Sequence, residues 1–197
     1  MLSTKSIVPM AVLAFVVGCT DAAKIPADAA IKSAESALAA VKTEAAKYVP
    51  DQLKAVEDGL AKAKDAFGKG DFKGALESGK DLPGKVSALA TAVAAKKDEL
   101  TKSFAAATGE LPKLLATIKS RVGALSALKK LPKGMDKAKL AAAKDGLASV
   151  TKGLGDATAA MAAGSLTEAV AAAKPLKDKA VEIARSLGLT SGGAIAK

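Results

Sequence analysis

Thirty lysines and arginines stand against twenty aspartates and glutamates in this chain of 197 residues, a net charge of +10. Only Arg121 and Arg185 are arginines, so lysine carries the excess. Lysine is a compact, strongly hydrated point charge, suited to diffuse attraction toward phosphates and carboxylates and ill suited to bidentate reading of bases. Lys96, Lys97, Lys129 and Lys130 are the expected contacts for an anionic ligand, at about 1 kcal/mol each near a charged surface. The plain alternative is a solvated helix face. Other chemistry is scarce. Histidine, the usual proton shuttle near neutral pH, is absent, which removes the common acid–base and triad schemes. Cys19 is the single thiol, so zinc loses both of its preferred ligand types and no disulfide can close within the chain. The acidic residues are scattered among lysines, without the alternating loop of a calcium site. No catalysis, cofactor or metal is expected.

Where the chain resides is written at its start. Residues 1–18 hold a short basic head and an apolar run from Ile7 to Val17. That is the pattern of a secretory signal peptide, and the run is shorter than the ~20 residues of a spanning helix. The exit Val16-Val17-Gly18-Cys19 resembles the lipobox of bacterial lipoproteins. The resemblance implies cleavage before Cys19 and attachment of fatty acids, palmitate among them, to its thiol and new amine. Ordinary secretion, with cleavage near Ala22 or Ala23, is the alternative. In proteobacteria that sort lipoproteins, Asp directly after the cysteine resembles an inner-membrane retention signal; here Thr20 stands there and Asp21 follows. The expected location is therefore the periplasmic face of the outer membrane, or the outer leaflet of the inner membrane if sorting differs. An exported chain does not meet the nucleoid, so nucleic acid is not an expected partner.

Two further resemblances rest on short matches. The ending Gly192-Gly193-Ala194-Ile195-Ala196-Lys197 looks like that of the murein lipoprotein, whose C-terminal lysine joins peptidoglycan, although the Tyr-Arg-Lys ending is absent. It implies Lys197 as a point of covalent attachment. The spacings Ser126 to Lys129 and Ser149 to Lys152 resemble the nucleophile motif of penicillin-binding enzymes. Chance supplies roughly two such spacings in a chain this rich in serine and lysine, and the companion motifs Ser-Asp-Asn and Lys-Thr-Gly are missing, so the enzyme reading is rejected.

The elements that must position these residues are helices. Residues 19–28 read as a lipidated tether, with Asp28 as the cap of a first helix. Ile31, Leu38 and Ala45 lie seven apart, with Ala34, Val41 and Tyr48 between them, an a/d heptad stripe. Val49-Pro50 ends that helix. A second helix carries Leu53, Val56, Leu60, Ala63 and Phe67, and Gly68-Lys69-Gly70 is its turn. A long third helix, with Phe72 to Phe104 along its apolar side and Thr108-Gly109 as its end, contains Pro83-Gly84 and is expected to kink or break there. A fourth holds Leu111, Leu115, Ile118, Val122, Leu125 and Leu128; a fifth Leu140, Leu147, Val150, Leu154, Ala157 and Met161. Ser165 and Glu168 form a capping-box pattern for a sixth, after which the tail 188–197 reads as flexible.

A shift of 94 residues lays Leu53, Val56, Gly59, Leu60 and Gly70 on Leu147, Val150, Gly153, Leu154 and Gly164. Glycine inside a helix costs roughly 1 kcal/mol against alanine, so equivalent glycines at 59 and 153 point to close helix approach. Chance alignment of Ala/Leu-rich helices is the competing account. Residues 31–93, with Pro50-Asp51-Gln52-Leu53 and the Gly70-Asp71-Phe72 turn, resemble a helical-hairpin domain of proteobacterial envelope lipoproteins; the resemblance implies no activity. The expected fold is all-α: an antiparallel bundle of about six amphipathic helices over 29–187, with coiled-coil seams and candidate repeats 50–93 and 144–187. The expected function is that of a periplasmic helical scaffold or adaptor for another envelope protein. The alternative is a binder of anionic lipid, lipopolysaccharide or peptidoglycan.

Overall fold

The structure, a computed structural model, describes residues 22–189. The expected signal peptide (1–18), Cys19 and Lys197 lie outside the described residues. Every regular element among the described residues is an α-helix: α1 (Lys24–Tyr48), α2 (Pro50–Gly68), α3 (Phe72–Lys80), α4 (Leu82–Thr108), α5 (Leu111–Ser126), α6 (Lys137–Ala162) and α7 (Leu166–Ser186). The described residues are all-helical, as the heptad spacing requires. They hold seven helices where that spacing predicts about six, because the long third helix is two. Pro83 has no N–H to offer the Gly79 carbonyl, and the N–H of Asp81, between α3 and α4, turns to that carbonyl instead.

Four local expectations are corrected. Helix α1 begins at Lys24, before the anticipated cap at Asp28. Pro26 falls in its first turn, where a missing N–H costs nothing, and Ala27 is fully buried. Asp28 therefore caps nothing and pairs with Lys32 one turn on, at 2.8 Å. Leu128 leaves the apolar face assigned to it: α5 stops at Ser126, ahead of Pro132, and Leu128 is 50% exposed. Ser165 starts α7 but makes no side-chain cap bond, whereas Asp71, in nearly the same backbone conformation, accepts from the Gly74 N–H at 2.9 Å. The carboxylate is one bond longer than the hydroxyl and reaches. Finally, the chain stays packed one residue beyond Gly188. Leu189 is buried, its N–H bonds the Ala184 carbonyl at 2.9 Å, and Arg121 Nε donates to the Leu187 carbonyl at 3.2 Å.

The described chain forms two compact units, 22–41 with 54–87 and 42–53 with 88–189, the division falling inside α1, α2 and α4. In the first, Ile31, Ala34, Ala63 and Leu82 make the core, flanked by Leu60 and Phe67. Small residues let backbones close in: a Cβ on Gly59 would stand 3.1 Å from Leu82, and one on Gly79 would stand 3.5 Å from Ala30. Phe67 meets Phe72 edge-on at 5.1 Å, and the Lys24 ammonium lies 5.5 Å over the Phe72 ring. Helix α2 reverses into α3 at Gly70, whose φ of 81° is the left-handed conformation that glycine takes without strain.

In the second unit α6 and α7 pair along their length. Gly153 faces Leu176, and seven residues before it Gly146 faces Ile183, seven residues after Leu176, so the two helices run in opposite directions. Helix α5 lies against both through Leu111, Leu115, Ile118, Val122 and Leu125. Each fully buried Leu, Ile or Val contributes roughly 1.5–3 kcal/mol, which is how a chain almost without aromatics builds a core. Leu100, Leu166 and Val170 form a further cluster, packed by Tyr48, Phe104 and Met161. The Tyr48 hydroxyl donates to the Gly164 carbonyl at 2.7 Å, tying the end of α1 to the α6–α7 turn.

Candidate functional site

Ion pairing sorts the lysines. In the first unit Lys32, Lys54, Lys64 and Lys69 hold Asp28, Asp58, Glu35 and Asp65 at 2.6–3.0 Å. In the second, Lys97 donates to both Glu44 oxygens at 2.9 and 3.0 Å and lies 5.9 Å over the Tyr48 ring. The Glu44 hydrogen bond raises the Lys97 pKa above the ordinary lysine value. Lys96 donates to Glu99 at 2.9 Å. Two of the four lysines expected to meet an anionic ligand are thus already matched by carboxylates. Lys129 and Lys130 are different: they stand exposed in the loop after α5, with no carboxylate at ion-pair distance among the described residues. The two pairs sit on separate elements, α4 and the α5–α6 loop.

Reading the chain by adjacent lysines misses a larger feature. Residues 111–135 contain six cations, Lys113, Lys119, Arg121, Lys129, Lys130 and Lys133, and no aspartate or glutamate. A windowed count of charge along the sequence finds this run. Local helix pairing cannot neutralise it, because every i, i+3 and i, i+4 neighbour inside the run is uncharged or basic. Helix α5 carries three of these cations and lays its leucine stripe against α6 and α7.

Beside that stripe, α5 and α6 leave an open groove of about 690 Å³. Its floor is Pro112, Leu115, Ala116, Leu147 and Ala148, and its rim carries Lys119, Lys144 and Lys152. The alanines explain the space, since a methyl group on each side cannot fill the gap between two helices. Lys144 also borders a second hollow of about 430 Å³, where Leu125, Leu128, Leu131 and Leu140 meet Lys129 and Lys137. Lys152 is held by Asp156 at 2.6 Å. Asp136, the one carboxylate bordering these hollows, uses Oδ1 to cap α6 through the Lys139 N–H at 2.7 Å. Lys119, Lys129, Lys137 and Lys144 have no carboxylate at ion-pair distance among the described residues.

The remaining sequence motifs have ordinary geometry. The Ser126 hydroxyl donates to the Val122 carbonyl at 2.7 Å, and Lys152, partner in the second Ser-x-x-Lys spacing, is engaged by Asp156. Gly68-Lys69-Gly70 is the hairpin turn that the spacing predicts, with Lys69 paired to Asp65. Glu110, just before α5, accepts from Lys177 on α7 at 2.6 Å, and that hydrogen bond lowers its carboxyl pKa, with Lys113 adding a smaller pull. Among the described residues no helix is long and apolar enough to cross a membrane, and no cluster of metal-ligating side chains occurs. No protein-family model, curated protein or solved structure matches the chain.

Proposed function

We propose that the chain is a non-enzymatic, lipid-anchored protein of the bacterial envelope, held through Cys19 on the periplasmic face of the outer membrane. Its body acts there as a helical scaffold or adaptor for another envelope protein. One observation carries the scaffold reading. The interior is closed by Ala, Leu, Val and Ile, no polar side chain is buried among the described residues, and the charged groups lie outside. Such a body offers its partners outer helix faces.

In this reading the body is an antiparallel bundle with a duplicated hairpin, 50–93 and 144–187. Matched backbone features at the 94-residue offset support the duplication. Gly70 N–H bonds Phe67 O at 3.1 Å and Asp71 N–H bonds Ala66 O at 3.0 Å, as Gly164 N–H bonds Met161 O at 3.2 Å and Ser165 N–H bonds Ala160 O at 2.9 Å. Gly70 and Gly164 share φ values of 81° and 78°. Gly59 faces Leu82, as Gly153 faces Leu176.

Crosslinking in intact cells, followed by identification of the adducts, tests the scaffold. One envelope protein recovered reproducibly supports it; recovery of lipid or glycan alone defeats it. The anchor is tested separately by Cys19→Ser, which should abolish incorporation of a palmitate analogue and release the chain from the membrane fraction. Unchanged labelling refutes the anchor.

A further inference from the structure

We propose that the α5–α6 groove binds an anionic phospholipid, its acyl chain on the floor of Leu115, Ala116, Leu147 and Ala148 and its phosphate at Lys119 or Lys144, with Lys129 and Lys137 of the adjoining hollow adding to the positive field. The inference stands apart from the lipobox and from the scaffold reading, because it uses only α5, α6 and the loop between them. Three observations converge on this groove. Its floor is apolar and open rather than closed by large side chains. Two lysines that no carboxylate neutralises among the described residues, Lys119 and Lys144, border it, and Lys144 is shared with the adjoining hollow, where Lys129 and Lys137 are likewise unmatched, in a protein where many other lysines are matched at 2.6–3.0 Å. Leu128, one of the few large apolar side chains left exposed, lines the adjoining hollow with Lys129.

A hydrophilic polyanion would satisfy the lysines and leave the leucine and alanine floor in water. A neutral apolar peptide would fill the floor and leave four ammonium groups unanswered. An anionic amphiphile answers both, and lysine's diffuse point charge suits a phosphate that has no fixed orientation.

The test uses the full chain carrying Cys19→Ser, so that no acyl anchor contributes, floated with vesicles of phosphatidylcholine alone or mixed with phosphatidylglycerol. Preferential binding to the anionic vesicles, weakening with salt, is expected. Each cation near a charged bilayer changes partition about fivefold, so the quadruple variant Lys119→Gln, Lys129→Gln, Lys137→Gln, Lys144→Gln should lose roughly six-hundredfold. A control with the same charge change at paired lysines, Lys54→Gln, Lys64→Gln, Lys69→Gln and Lys102→Gln, the last held by Asp98 at 2.6 Å, should keep binding within about tenfold. The exposed floor residues provide an independent variant: Ala116→Trp with Ala148→Trp fills the groove without removing charge and should weaken binding at least tenfold, with helical circular dichroism unchanged. The proposal is overturned if anionic vesicles bind no better than neutral ones, or if the control loses as much as the quadruple variant. It is overturned too if the tryptophan plug leaves flotation intact, and should that plug also remove protein crosslinks in cells, the groove belongs to a protein partner.

Discussion

Gly153 and Gly155 lie two residues apart in α6, and replacing each by alanine separates helix propensity from helix packing. Propensity alone favours alanine by about 1 kcal/mol at both positions. At Gly155 nothing lies within 4 Å of the added methyl, so the whole gain should appear. At Gly153 the methyl would stand 2.9 Å from Leu176 Cδ2, with Cδ1 and Cγ of the same side chain at 3.7 and 3.9 Å. Ordinary carbon contacts are about 3.5–4.0 Å, so Leu176 must retreat by half an ångström or more. It is buried against α5 and α6, where overpacking costs about 1–3 kcal/mol. Gly153→Ala should therefore be neutral to about 2 kcal/mol destabilising, and the two variants should differ by about 2 kcal/mol, or roughly 4–8 °C in Tm. Urea unfolding followed by circular dichroism gives the comparison, provided the slope against denaturant is the same for both. If Gly153→Ala stabilises as much as Gly155→Ala, α6 and α7 do not approach as closely as the structure has them, and the packing argument fails. Gly59→Ala should behave like Gly153→Ala, because Leu82 is fully buried at 3.1 Å.

Asp71→Ala removes the α3 cap and should cost about 1 kcal/mol, while Ser165→Ala, at a position without a side-chain cap bond, should change stability by only a few tenths; thermal melts of both variants decide. Tyr48→Phe leaves the half-buried Gly164 carbonyl without its 2.7 Å donor and should cost about 1 kcal/mol, with faster amide exchange at the α6–α7 turn. Unaltered exchange there would remove that tether from the account. The Glu110–Lys177 pair has a definite pH sense: a carboxyl whose folded pKa is lowered contributes stability above the unfolded carboxylate pKa, and that contribution is lost as pH falls through the lowered value. Lys177→Gln should move the Glu110 carboxyl titration upward toward the ordinary carboxylate range in an NMR titration; an unmoved midpoint would mean the pair does not form in solution.

The helices and most of their ends are local properties, and the sequence by itself determined them. A heptad stripe such as Ile31, Leu38, Ala45 needs only the helix's own period to lie on one face, and Val49-Pro50, Gly70 and Gly164 stop helices through backbone sterics. Pairs four apart, such as Asp28 with Lys32 and Asp65 with Lys69, follow from the same period. What only the tertiary structure decided is which charges and which surfaces are spent. Lys97 meets Glu44 from 53 positions away, and Lys177 meets Glu110 from 67, so neither pair is visible until helix register is fixed. The same holds for Ala116 and Ala148, whose small side chains open a groove only because α5 and α6 bring them to one side. Leu128 looks like core by spacing and is exposed because α5 ends before it; Leu189 looks like tail and is buried because α5 and α7 receive it. Periodicity fixes which face of a helix is apolar, but the partner opposite that face is set by packing between helices far apart in the chain.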